Sequence, residues 1–216
     1  MKNWIWILSL ATLALAVALA LIVPKHEHIR QPVLALELAR NWSQLAIVLA
    51  VTPAGRARFL LNTQIDFAFI AAYTALFTLL ALTVMRGYWR WITAGLAVAA
   101  GVAGVMENLN ILAVLPLERG FENAMALAIR QWALTKWCLM GLVWLTLGMA
   151  QYRRLPAGIL YAAAGLLAMW GCLEHRWLEV AVMPLGGALL AQLWTYFPSR
   201  AATSWRSRST APGSSL

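Results

Sequence analysis

Long apolar runs almost free of charge constrain this chain more than any other feature. Residues 4–23 are the clearest case: no Asp, Glu, Lys or Arg occurs between Lys2 and the Pro24-Lys25 pair. Five more stretches of comparable length follow, at about 65–85, 91–115, 131–151, 155–173 and 177–197. A hydrocarbon core of about 30 Å is crossed by about 20 helical residues. In lipid each backbone N–H must be satisfied within its own segment or by a closed barrel. The strand-like alternation of a barrel is absent, so the stretches read as helices. Composition agrees. Charged residues make up 12% of the chain and apolar ones 62%, against about 25% and 45–50% in an ordinary soluble domain. A soluble globular enzyme and a disordered chain are both excluded. The expectation is an all-α integral membrane protein: a six-helix transmembrane bundle over residues 1–198, with a short tail.

The first run shares a basic start and frequent alanines with a cleavable signal peptide. It is longer than the about 7–15 apolar residues of a signal core, and reads as an uncleaved anchor. With the N-terminus inside, the short loops 86–90 and 152–154 and both chain ends carry Arg86, Arg90, Arg153, Arg154 and other basic residues, but no acidic one. The outer segments hold as many basic residues, yet five lie in the long segment 24–64. Long translocated segments count for less than short loops in setting orientation. The expected location is the cell membrane (an inner membrane, in a two-membrane cell), with both termini cytoplasmic. Residues 199–216 are too polar to fold and are expected to form a disordered basic cytoplasmic tail near anionic headgroups. The net charge of +9 is thus largely topological and implies no nucleic-acid partner.

Segment 24–64 is the one long connection. Within it, residues 33–51 read as an amphipathic helix on the outer face, with Leu38, Trp42, Leu45 and Leu49 at i, i+4, i+7 and i+11. Glu37, Arg40, Asn41, Ser43 and Gln44 form its polar side, and Pro53 and Gly55 are expected to end it. The helix either links two spans or serves as a lid over an outer cavity. The histidines at 26, 28 and 175 could be joined by Glu27 and Glu174, but this does not amount to a convincing three- or four-ligand set, and no metal is assigned. No cofactor is assigned either. Many of the twelve tryptophans lie near span ends, as an interfacial aromatic belt requires. Cys138 and Cys172 fall in the outer parts of adjacent spans, where a disulfide is conceivable.

Ionisable residues inside spans are costly and mark functional candidates. Because the chain alternates direction, Asp66 early in the second span, Glu107 late in the third and Lys136 early in the fourth all fall in the outer half. Glu174 and His175 lie at the outer end of the fifth, and Glu179 starts the sixth. The candidate ligand-binding set is Asp66, Tyr73, Glu107, Asn108, Asn110, Lys136, Glu174 and His175; no catalytic residue is assigned. Glu107 and Lys136 are expected to form an ion pair with Asp66 nearby, since consecutive spans are usually neighbours. Gly101 and Gly104 offer a small-residue face for close helix approach.

Three functional readings follow. The first is a site facing the outer leaflet that binds a lipid or other amphiphile, with acid–base chemistry on it open to buried carboxylates. The second is a non-catalytic subunit of a membrane protein complex. The third, a transporter or channel, is disfavoured because no polar residues are expected in the inner half.

Overall fold

The computed structural model describes residues 2–23, 29, 31–49, 52–115, 123–152, 156–174 and 176–196, with the side chains of Lys2, Arg176 and Glu179 left aside. Of the described residues 91% are helical and none is in a strand. In chain order the helices are α1 (Lys2–Ile22), α2 (Pro32–Glu37), α3 (Trp42–Leu49), α4 (Pro53–Val84), α5 (Trp89–Val114), α6 (Asn123–Gln151), α7 (Ala157–Leu173) and α8 (Arg176–Tyr196). Four of them, α1, α4, α5 and α6, are long and apolar enough to cross a membrane; α7 and the 180–196 stretch of α8 are shorter apolar helices. The protein is an all-α, multi-pass membrane protein by these helices.

The six long helices form a closed ring. Each packs on the next in the order α1, α4, α5, α6, α7, α8, and α8 returns to α1. Nearly every neighbour in space is therefore the next long helix in sequence, which keeps connections short. Gly87 sits in the turn from α4 to α5 at φ +62, a conformation that residues with a Cβ rarely adopt. The outward faces are apolar: Trp194 is 88% exposed, Leu173 80% and Leu21 79%. Such a surface suits hydrocarbon, not water.

Two helices start earlier than the apolar runs suggest. Pro53 does not end a helix but opens α4: Thr52 caps it, its Oγ1 accepting from the Gly55 N–H at 3.2 Å. Proline is well placed at the first helical position because its missing N–H would have no partner there. The segment 33–51 is likewise not one helix. It breaks at 38–41 into α2 and α3. Asn41 Oδ1 accepts from Gln44 N at 2.9 Å, and Gln44 Oε1 accepts from Arg40 N at 2.8 Å. This reciprocal capping starts a new helix and overrides the continuous apolar stripe. Trp42 N donates to Asn123 Oδ1 at 2.9 Å, tying the start of α3 to that of α6. Within the stripe Leu45 and Leu49 are buried, Leu38 and Trp42 half-buried, and Arg40 and Gln44 exposed. Leu36, Leu45 and Val48 pack with Phe59, Val114 and Ile129. The α2–α3 pair therefore sits as a cap on the start of α4, the end of α5 and the start of α6.

Packing differs around the ring. A Cβ built on Gly148 would stand 2.5 Å from Ala162 N, and one on Gly165 2.6 Å from Leu145 N. The backbones of α6 and α7 are in direct contact, as small residues permit in membrane helices. On α5, Gly101 faces the Thr74 side chain and Gly104 the Tyr73 hydroxyl of α4. Cys138 and Cys172 meet across α6 and α7 as free thiols, with Sγ atoms 2.8 Å apart. The tail 199–216, the histidines at 26, 28 and 175, and Glu27 lie outside the described residues.

Candidate functional site

Asp66 and Glu107 each stand 18 residues from the α4–α5 turn ends of their helices, and Lys136 stands 15 from the end of α6. At ~1.5 Å per residue these are heights of roughly 27 and 22 Å, close to the level of the cap. Helices that alternate direction bring the three residues together, and the side chains meet.

Lys136 is the hub. Its Nζ lies 2.6 Å from Glu107 Oε2 and 3.4 Å from Glu37 Oε1. Glu107 is 1% exposed. A charged carboxylate so deep is costly unless it is paired, and its partner here, Lys136, is on the adjacent helix. Lys136 does not extend along its stem to the interface; its side chain is 12% exposed. Glu37 is held a second time, its Oε2 accepting from the Trp137 indole N–H at 3.1 Å. Asp66 joins through Asn108, whose Nδ2 donates to Asp66 Oδ2 at 2.9 Å. The expected Glu107–Lys136 pair with Asp66 close by is thus formed.

Glu37 was not among the expected site residues. The sequence placed it on the solvent side of one long helix, whereas it is the last residue of α2 and only 8% exposed. Val33 and Glu37, four apart, turn the same face inward. A carboxylate set among Leu34, Leu36 and Leu38 was the available signal.

These groups border a cavity of about 310 Å³ inside the ring. Its polar end is made by Glu37, Asp66, Lys136 and Tyr73; Glu107 stands behind Lys136 and does not line it. Its walls are apolar and aromatic: Leu13, Ala16 and Leu19 of α1, Phe69 and Phe77 of α4, Trp137 and Trp144 of α6, and Leu185, Gly186 and Leu189 of α8. Phe69 and Tyr73 meet edge to face at 5.3 Å, and Trp137 and Trp144 at 6.5 Å. Three buried polar groups on these walls have no hydrogen-bond partner among the described residues: Thr12 Oγ1, the Tyr73 hydroxyl and Trp144 Nε1. Small-molecule sites are concave, mostly apolar and marked by a few convergent polar groups, which is this arrangement.

Other expected members lie elsewhere. Asn110 donates to Met106 O of its own helix at 2.7 Å. Glu174 follows α7, exposed, and accepts from the Trp177 indole at 3.1 Å. His175 is outside the described residues.

The half of the bundle away from the cap departs from the sequence expectation. Tyr161 OH donates to Gln192 Oε1 at 2.7 Å, both buried. Ser9 and Gln151 are also buried, and Thr93 meets Thr146 at 3.3 Å. Polar groups do continue below the cavity, but they are neutral.

Comparison with known proteins adds no family: no family model matches this chain, and no curated protein or solved structure matches it.

Proposed function

We propose that this protein is a six-span membrane protein, with both termini cytoplasmic, that holds one lipid or other amphiphile inside its bundle. The amphiphile's polar end lies at the outer leaflet beneath the α2–α3 cap. In this reading α7 and α8 span together with the four longer helices. The α2–α3 segment closes the site from outside, and residues 199–216 form a cytoplasmic tail. Asp66, Tyr73 and Lys136 contact the occupant, while Glu107 and Asn108 hold Lys136 and Asp66 in place.

The observation that carries the reading is the two-part character of the cavity. Charged side chains cluster at one end, and apolar walls run from there toward the middle of the bundle. A head-and-tail molecule satisfies both parts, and neither a polar metabolite nor a plain hydrocarbon does.

The test uses Gly186, which lines the cavity and where an added Cβ meets nothing within 4 Å. Native mass spectrometry of the protein extracted in mild detergent is expected to show one retained amphiphile. Gly186→Phe should deplete it at least roughly fivefold, whereas Gly95→Phe, at an exposed position with equal room, should not. Wild-type protein without a retained amphiphile, or equal retention in both folded variants, would overturn the reading. For topology, a reporter active only outside the cytoplasm should be silent when fused after Leu216.

A second observation favours the subunit reading. A groove of about 640 Å³ runs between α4 and α5, lined by Ile70, Thr74, Thr78, Gly101 and Val102. The Thr74 and Thr78 hydroxyls have no partner among the described residues. Polar hydroxyls beside a small-residue face are suited to a partner helix. A stable complex recovered on mild extraction, with the cavity unoccupied, would favour it.

A further inference from the structure

The polar end of the cavity is unbalanced. Glu37, Asp66 and Glu107 converge there on one cation among the described residues, Lys136. Lys136 is already engaged, with one carboxylate at 2.6 Å and another at 3.4 Å. Asp66 receives only the neutral amide of Asn108 and has no cation within ion-pair distance among the described residues. An anionic head entering here would meet the carboxylates of Glu37 and Asp66, with Glu107 behind, and a lysine whose charge is already committed. Like charges at close range in a low dielectric cost too much for that to be stable.

The aromatic walls point the same way. Phe69, Tyr73 and Trp137 border the cavity beside Asp66 and Glu37. Ring faces carry negative potential and attract ammonium groups, most strongly when water is excluded. Tyr73, 5% exposed as a residue, adds a buried hydroxyl with no partner among the described residues. Carboxylates in excess of their cation, bordered by aromatic side chains, suit a positive charge.

We propose, building on the amphiphile reading above, that the occupant carries a cationic head, an amine or quaternary ammonium. In this proposal Asp66 is its counter-ion, Phe69, Tyr73 and Trp137 are its aromatic walls, and its chain runs down the cavity toward Trp144 and Leu189.

The experiment titrates the full-length purified protein with three probes that share a chain and differ in head: dodecyltrimethylammonium, dodecanol and dodecyl phosphate. Native mass spectrometry in one detergent reads occupancy. The cation is expected to bind at least roughly tenfold more tightly than either of the others. Asp66→Asn should collapse that preference, and Glu37→Gln should reduce it, so one informative variant remains if the other fails to fold. Glu174→Gln, remote and exposed, should keep the full preference. Equal binding of the cation and dodecanol, or a preference for the phosphate, would overturn the charge assignment while leaving the amphiphile reading intact. Binding of none of the three would overturn both.

Discussion

The two ends of the bundle solve the problem of buried polarity differently. At the cap end Glu37, Asp66, Glu107 and Lys136 gather around a cavity. At the other end Tyr161 and Gln192 form one neutral hydrogen bond beside tightly apposed helices, where a Cβ on Gly158 would stand 2.5 Å from Gln151 O. Among the described residues the buried carboxylates, Glu37 and Glu107, lie where several helices contribute to one cluster. Elsewhere amides and hydroxyls suffice, because a neutral group costs less to bury and needs one partner, not several. The cap end is arranged for interaction at the expense of packing, and the opposite end is arranged for packing.

The largest test of that contrast is removal of the hub. Lys136→Met leaves Glu107 buried without its cation and should destabilise the protein by about 3–5 kcal/mol, read by denaturant unfolding in mixed micelles. The Lys136→Met, Glu107→Gln double variant should recover part of the loss. If the double variant is folded yet empty of amphiphile, the cluster serves binding; if it is folded and retains amphiphile normally, the cluster is structural.

Next comes the helix contact. Gly148→Leu forces a side chain into the backbone of α7 at Ala162 and should cost about 1–3 kcal/mol or more. Gly95→Leu, where a Cβ meets nothing, should be near neutral. Similar losses at both would mean that α6 and α7 are not closely packed.

A smaller effect is expected at the neutral pair. Tyr161→Phe removes the donor to Gln192 and should cost about 1 kcal/mol, in line with interhelical hydrogen bonds in membranes. A loss as large as that of Lys136→Met would erase the distinction between the two ends.

The smallest is at Glu174, an acidic residue outside the cluster. Its carboxylate is exposed and bonds the nearby Trp177. Glu174→Gln should change stability by less than about 0.5 kcal/mol, although the sequence ranks it with Glu107 as a candidate.

The sequence by itself determined that this chain is helical and membrane-embedded, because apolar length and charge scarcity are local properties that lipid reads directly. Alternating helix direction also made the common height of Asp66, Glu107 and Lys136 legible, since height along a helix follows from residue number alone. Rotation and lateral approach do not. Asn108 turns toward Asp66 while Asn110, two residues on, bonds its own helix, a difference settled by which face of α5 meets α4. Glu37 comes from a segment whose placement depends on capping at Asn41 and Gln44 and on docking against α6. Gly148 and Gly165 acquire meaning only when α6 and α7 touch. The cavity is the furthest from the sequence of all. It is the space left when four helices and a cap of fixed side-chain volume close on one another, and no single segment encodes it.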